Sequence, residues 1–138
     1  MGKRKQILRP ARSLTINSWR LGIKILERLL DTRGIKLHRV TGKRSWSTAT
    51  GIYWNPRRGL DELLHEAAHV ALNHSDYTVP VKYRVVQEQE AWLWAESACH
   101  LWGLPFRYGM ANRCFATYTH YVEGAGSWRI RWRHRGRN

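Results

Sequence analysis

The residues of this chain best able to do chemistry are His65, Glu66 and His69, within the run Leu63-Leu64-His65-Glu66-Ala67-Ala68-His69-Val70-Ala71-Leu72. The apolar positions of that run predict a helix. Two histidines at i and i+4 project from neighbouring points on one helical face, so both imidazoles can reach one ion. Glu66 stands about 100° round the helix from His65, off the ion, where it can take a proton from a water that the ion activates. Zinc suits such a site, because it accepts nitrogen and oxygen ligands tetrahedrally and leaves a position open for water. The three residues therefore predict a zinc-dependent hydrolase with Zn2+ on His65 and His69 and with Glu66 as general base.

Such a site needs a third protein ligand, and the sequence offers His74, Glu88, Glu90 and Glu96. On a helix over residues 83–102, Glu88 shares a face with Ala91, Ala95, Cys99 and Trp102, mostly small residues that let this helix lie close to the histidine helix. Glu90 stands about 200° away from Glu88 and cannot face the same ion. His74 falls past the expected end of its helix, and with Glu90 is expected to matter little to metal binding. Glu88 is the expected third ligand. A peptidase also needs a donor for the oxygen that gains charge; Tyr118, His120 and Tyr121 are the candidates, and Tyr118 is assigned to the catalytic set. His38 and His100 read as structural or surface residues, and Cys99 as a small buried one.

The pattern His65-Glu66-Ala67-Ala68-His69 followed by Glu88-x-x-Ala91-x-x-Trp94-Ala95 resembles the ImmA/IrrE-type zinc peptidases, and more loosely the peptidase domain of ArdC-type antirestriction proteins. The resemblance covers about residues 50–105. It implies a minimal zincin-like α+β domain, with helices packed on a small β-sheet and zinc on His65, His69 and Glu88. The chain departs from the family at Trp92, where Asp or Asn is frequent, and in Cys99-His100-Leu101-Trp102 before Pro105. No helix-turn-helix partner domain is recognisable.

The elements that must position these residues follow from periodicity. Leu14, Ile16, Trp19, Ile23, Leu26, Leu29 and Leu30 recur at helical spacing, with Gly34 as a stop. Ile35 to Val40 alternates apolar with polar, and Thr50 to Trp54 is β-branched and aromatic, which predicts two short strands joined by a loop. Helices are expected from Leu60 or Asp61 to Asn73, from Tyr83 to Trp102, and from Ala111 to Val122. Gly103, with Pro105 two residues on, is the expected stop of the second of these. The organisation reads as a basic arm over residues 1–13, one domain over 14–126, and an Arg/Trp-rich tail over 127–138.

Charge is segregated along this chain. Residues 61–96 hold seven of the ten acids against two bases, whereas the rest holds 22 bases and three acids, so the carboxylates gather around the motif and the remainder forms a positive field. Nucleic acid is the expected partner, beside a protein substrate. Lys3, Arg4 and Lys5 in the arm, and Arg129, Arg131, Arg133, Arg135 and Arg137 in the tail, are the candidate phosphate-binding residues. The tail alternates those arginines with Trp128, Ile130 and Trp132, which fits either a docked edge strand or an arm that stacks on bases. With no apolar run of signal or membrane-spanning type, the chain is expected to be cytoplasmic. Repressor cleavage, attack on a nucleic-acid-bound defence protein and crosslink removal all fit this reading. The readings from other classes are a metal-dependent nuclease using His65, His69 and His74, and a nucleic-acid-binding protein that keeps a zincin fold without turnover.

Overall fold

The computed structural model describes residues 16–42, 44–74, 80–122 and 124–134. The basic arm with Lys3, Arg4 and Lys5, together with Arg135 and Arg137, lies outside the described residues. In chain order the elements are α1 (Ile16–Asp31), β1 (Lys36–Arg39), β2 (Trp46–Ser47), β3 (Gly51–Trp54), a 3-10 turn (Pro56–Arg58), α2 (Leu60–Ala71), α3 (Val81–Trp102) and α4 (Tyr108–Thr119). This is the expected α+β arrangement, helices packed on a small sheet.

The sheet differs from the expected pair of strands. Its order is β1-β3-β2, with β1 parallel and β2 antiparallel to the central β3. At two residues β2 is too short to show alternation, and its insertion before β3 is what lets β1 and β3 run in the same direction. Tyr53 of β3 lies opposite both His38 and Trp46 in register, and its ring stacks between theirs at centroid distances of 4.6 and 4.8 Å. These cross-strand pairs bind the three strands on one face and account for His38.

The other face of β3 buries Ile52 and Trp54 against Leu63 and Ala67 of α2, with Leu30 and Ile35 closing the layer. A second core lies between α3, α4 and the chain that follows, around Trp92, Ala95, Cys99, Phe106, Ala111, Phe115 and Ile130. The buried stripe of α3 is Val85, Glu88, Ala91, Trp92, Ala95, Glu96 and Cys99, a helical period over its whole length. Trp102, expected on this stripe, is half exposed, because the helix ends there. Gly103 adopts the left-handed conformation at φ 69°, and the Leu104 N–H returns to the Cys99 carbonyl at 2.8 Å, the stop anticipated for this glycine.

Helix α4 begins at Tyr108, earlier than its own apolar pattern indicates, because its start is set from a distance. Asp61 accepts the Arg107 backbone N–H at 3.1 Å and the Arg107 guanidinium at 3.0 and 2.6 Å. A side chain at Gly59 would meet this pair, since a Cβ there would lie 2.9 Å from the guanidinium and 3.0 Å from the Asp61 carboxylate. After α4 the tail packs on the core without forming a strand: Ile130 is buried, Trp128 and Trp132 are partly buried, and Arg129, Arg131 and Arg133 face outward. Among the described residues, no helix is long and apolar enough to cross a membrane.

Candidate metal centre

Every residue of α2 from Asp61 to Ala68 is buried, so the helix runs through the interior with His65 and Glu66 at its middle. Ala67 and Ala68 on α2 and Ala91 and Ala95 on α3 are all at most 2% exposed, and such small side chains let the two helices approach closely. Close approach brings the short Glu88 side chain to the histidines. One Glu88 oxygen lies 3.1 Å from His65 Nε2, and the other lies 2.8 Å from His69 Nε2. The two Nε2 atoms are themselves 3.2 Å apart. His65, His69 and Glu88 thus form a group that could hold a metal ion.

The electrostatics of the group follow from burial and pairing. Burial alone would raise the Glu88 pKa, but hydrogen bonds and charge attraction from His65 and His69 outweigh it and hold the carboxyl at about 2. Burial also opposes a charge on His69, yet the Glu88 hydrogen bond and charge raise its pKa above the usual imidazole value. Glu66 lies beside the group, with Oε2 3.9 Å from His65 Nε2. Burial pushes its pKa up against the opposing pull of His65, His69 and a hydrogen bond from Ser47. Ser47 belongs to β2, the strand that periodicity could not reveal.

The remaining candidates separate clearly. Tyr118 of α4 is 38% exposed, and the burial of the rest of it, followed by the charges of Glu88 and Glu66, pushes its pKa up to about 12, so it shares the field of the site. Tyr121 is 79% exposed and His120 is also on the surface. Glu96 is fully buried away from the group, accepting the Tyr108 hydroxyl at 2.9 Å and the backbone N–H groups of Arg133 and His134 at 2.9 and 3.2 Å. Its role is to fasten the tail. His74 does not join the three ligand atoms; its Nδ1 lies 3.1 Å from Nδ1 of His69, on the far side of that ring, and its Nε2 lies 3.3 Å from Glu90 Oε1. Spacing alone leaves both residues outside the site, and the structure ties them to it through His69.

In the sequence Trp92 stands out only as a departure from a family pattern. In the fold its indole lies almost fully buried against His65, while His65 Nδ1 has no hydrogen-bond partner among the described residues. Glu62, also buried, takes the Ser45 hydroxyl at 2.8 Å and the Arg58 guanidinium at 3.1 Å, and so ties the start of β2 to α2. Nothing local in the sequence signals these two contacts, because Ser45 is 17 residues from Glu62 and Trp92 is 27 residues from His65. Compared with known proteins, the chain matches no family model, no curated protein and no solved structure.

Proposed function

We propose that this protein is a zinc-dependent metallopeptidase. The reading rests on one observation, the convergence of two imidazole nitrogens and a carboxylate on one buried point with a second carboxylate beside it. Ligands about 2.0–2.1 Å from a tetrahedral zinc ion stand roughly 3.3 Å apart; the two imidazole nitrogens here are 3.2 Å apart, and each has a different Glu88 oxygen beside it, at 3.1 and 2.8 Å. The donor set of two nitrogens and one oxygen leaves a position open, the arrangement of catalytic zinc. Bound there, zinc would supply a Lewis acid that brings the pKa of water to about 7.

The chain's own residues supply the rest. Glu66, buried and with a raised pKa, accepts a proton from the attacking water and returns it to the leaving amine. Tyr118 keeps its hydroxyl proton at neutral pH, as a tyrosine ordinarily does, and donates to the oxygen that gains charge. The net charge of +14 and the exposed Arg129, Arg131 and Arg133 favour a protein substrate held at nucleic acid, with Lys3, Arg4, Lys5, Arg135 and Arg137 adding to the same field.

The test is hydrolysis of a fluorescein-labelled unfolded protein by the zinc-loaded chain, with and without duplex DNA and with a chelator control. Glu66→Gln should bind zinc like the wild type and lose a factor of about 10²–10⁴ in rate. Unchanged hydrolysis in Glu66→Gln, or hydrolysis that survives the chelator, would exclude this mechanism.

A further inference from the structure

A histidine that ligates through Nε2 must carry its proton on Nδ1, and the group that accepts this proton fixes both the tautomer and the ring orientation. For His69 the neighbour of Nδ1 at hydrogen-bond distance among the described residues is Nδ1 of His74, 3.1 Å away. Two imidazole nitrogens can share one proton in either of two directions. If His74 donated, its Nε2 would be a lone pair facing the Glu90 carboxylate oxygen 3.3 Å away, acceptor against acceptor. If His69 donates, His74 carries its own proton on Nε2, and Glu90 accepts it. Glu90 therefore breaks the symmetry in favour of His69 as the Nδ1 donor, and the His69 Nε2 contact with Glu88 at 2.8 Å is where an ion would take the place of a shared proton.

The backbone delivers His74 to this position. Asn73 adopts the left-handed conformation at φ 59°, and the His74 N–H bonds back to the His69 carbonyl at 2.8 Å, so the chain folds over the end of α2 instead of leaving it. The His74 side chain is only 6% exposed, which screens the contact from competing water. We propose that His74, backed by Glu90, is the positioning residue for the metal site, accepting the His69 Nδ1 proton so that His69 presents Nε2 to the ion. This rests on the reading of His65, His69 and Glu88 as the ligands. It makes His74 an outer partner and not a fourth ligand.

The test is a pair of substitutions read by zinc affinity in chelator competition, with folding checked by circular dichroism. His74→Asn places an amide oxygen near the former Nδ1 and can still accept; His74→Leu fills similar space and cannot. His74→Leu should weaken zinc binding about 10–100-fold, and His74→Asn should restore most of it. Equal affinity in wild type and His74→Leu would overturn the proposal, as would an equal loss in both variants, the mark of a direct ligand. If His74→Leu fails to fold, nitrogen-15 spectra of the wild-type zinc protein decide: His74 protonated on Nε2 supports the relay, and protonation on Nδ1 overturns it. A wild type that binds no zinc, or a His69→Ala variant that binds it unchanged, would defeat the site reading as well. Zinc lost in His69→Ala but unchanged in His74→Leu defeats the relay alone.

Discussion

The indole of Trp92 lies flat over the imidazole of His65, with centroids 3.8 Å apart and planes inclined by 19°. Beyond their shared contact with Glu88, the two histidines are thus held by different means, His65 by a stacked ring and His69 by the contact of its Nδ1 with His74. Stacking fixes the plane of a ring without specifying its proton, so the orientation of His65 depends on packing. Trp92→Ala should cost about 3–5 kcal/mol of stability, read as a lowered urea midpoint, and should also weaken zinc binding. Trp92→Phe keeps an aromatic face and should retain most of the affinity. Zinc binding in Trp92→Ala equal to wild type, at a zinc concentration where both are folded, would remove the positioning role.

The ligand assignment predicts a ranking. Glu88→Ala should reduce zinc affinity by more than the ~100-fold at the upper end for removal of an outer partner, and His65→Ala and His69→Ala should do the same. Glu90→Ala should cost far less, because its carboxylate acts only through His74 and is half exposed. Metal analysis of each purified variant, followed by titration, checks the order. Full zinc content in Glu88→Ala would place the third ligand elsewhere.

Metal-free and zinc-loaded protein should respond to pH with opposite slopes. In the metal-free fold, His69 is raised above its ordinary 6.5, so its contribution is complete below that value and is lost as pH rises through the folded pKa. Glu88 is depressed from 4.5 to about 2, so its contribution is complete above 4.5 and is lost as pH falls toward about 2. The pair therefore supports the metal-free fold most between those ordinary values and weakens on the alkaline side. Zinc competes with the proton for His69, so its stabilising effect grows as pH rises through the same range. Melting curves from about pH 6 to about pH 8, with and without zinc, should diverge; parallel curves would contradict the assignment.

The fastening of the tail and its proposed phosphate contacts can be separated. Glu96→Ala removes the acceptor of two backbone N–H groups and the Tyr108 hydroxyl, part-buried bonds that are each worth about 0.5–1.5 kcal/mol. Its urea midpoint should fall clearly. Changing Arg129, Arg131 and Arg133 together to Ala should leave that midpoint nearly unmoved. On duplex DNA the same triple variant should show a shallower slope of log affinity against log salt, by about 0.9 for each phosphate that is no longer neutralised. An unchanged slope would mean that these arginines do not meet phosphate.

The cluster of His65, His69 and Glu88 that could hold an ion is legible in the sequence because each part follows from the phase of one helix. His65, Glu66 and His69 fall within one helical turn, and Glu88 is fixed by the phase of a single long helix whose apolar stripe is regular. What the sequence conceals depends on contacts between distant segments. β2 is too short to carry a period, the start of α4 is pinned by Asp61, and Glu96 looks like any other acid on a helix until the tail reaches it. His74 reads in the sequence only as a candidate ligand, because its value lies in a turn geometry set by a left-handed Asn73 that spacing does not encode.

Glu96 grips the tail by main-chain amides, which every residue except proline carries in identical form. These amide bonds therefore do not read the side chain at Arg133, whereas the His134 ring is held separately, stacked on His100 of α3 at a centroid distance of 3.7 Å. Alternation then sends Trp128, Ile130 and Trp132 to the core and leaves the intervening positions to solvent. The segment works as a mount whose outer face can be rewritten while its inner face stays fixed. Mutation can change what this side of the protein offers, from a cationic to an acidic or neutral surface, without renegotiating the packing that holds α3 and its cluster with α2 in place.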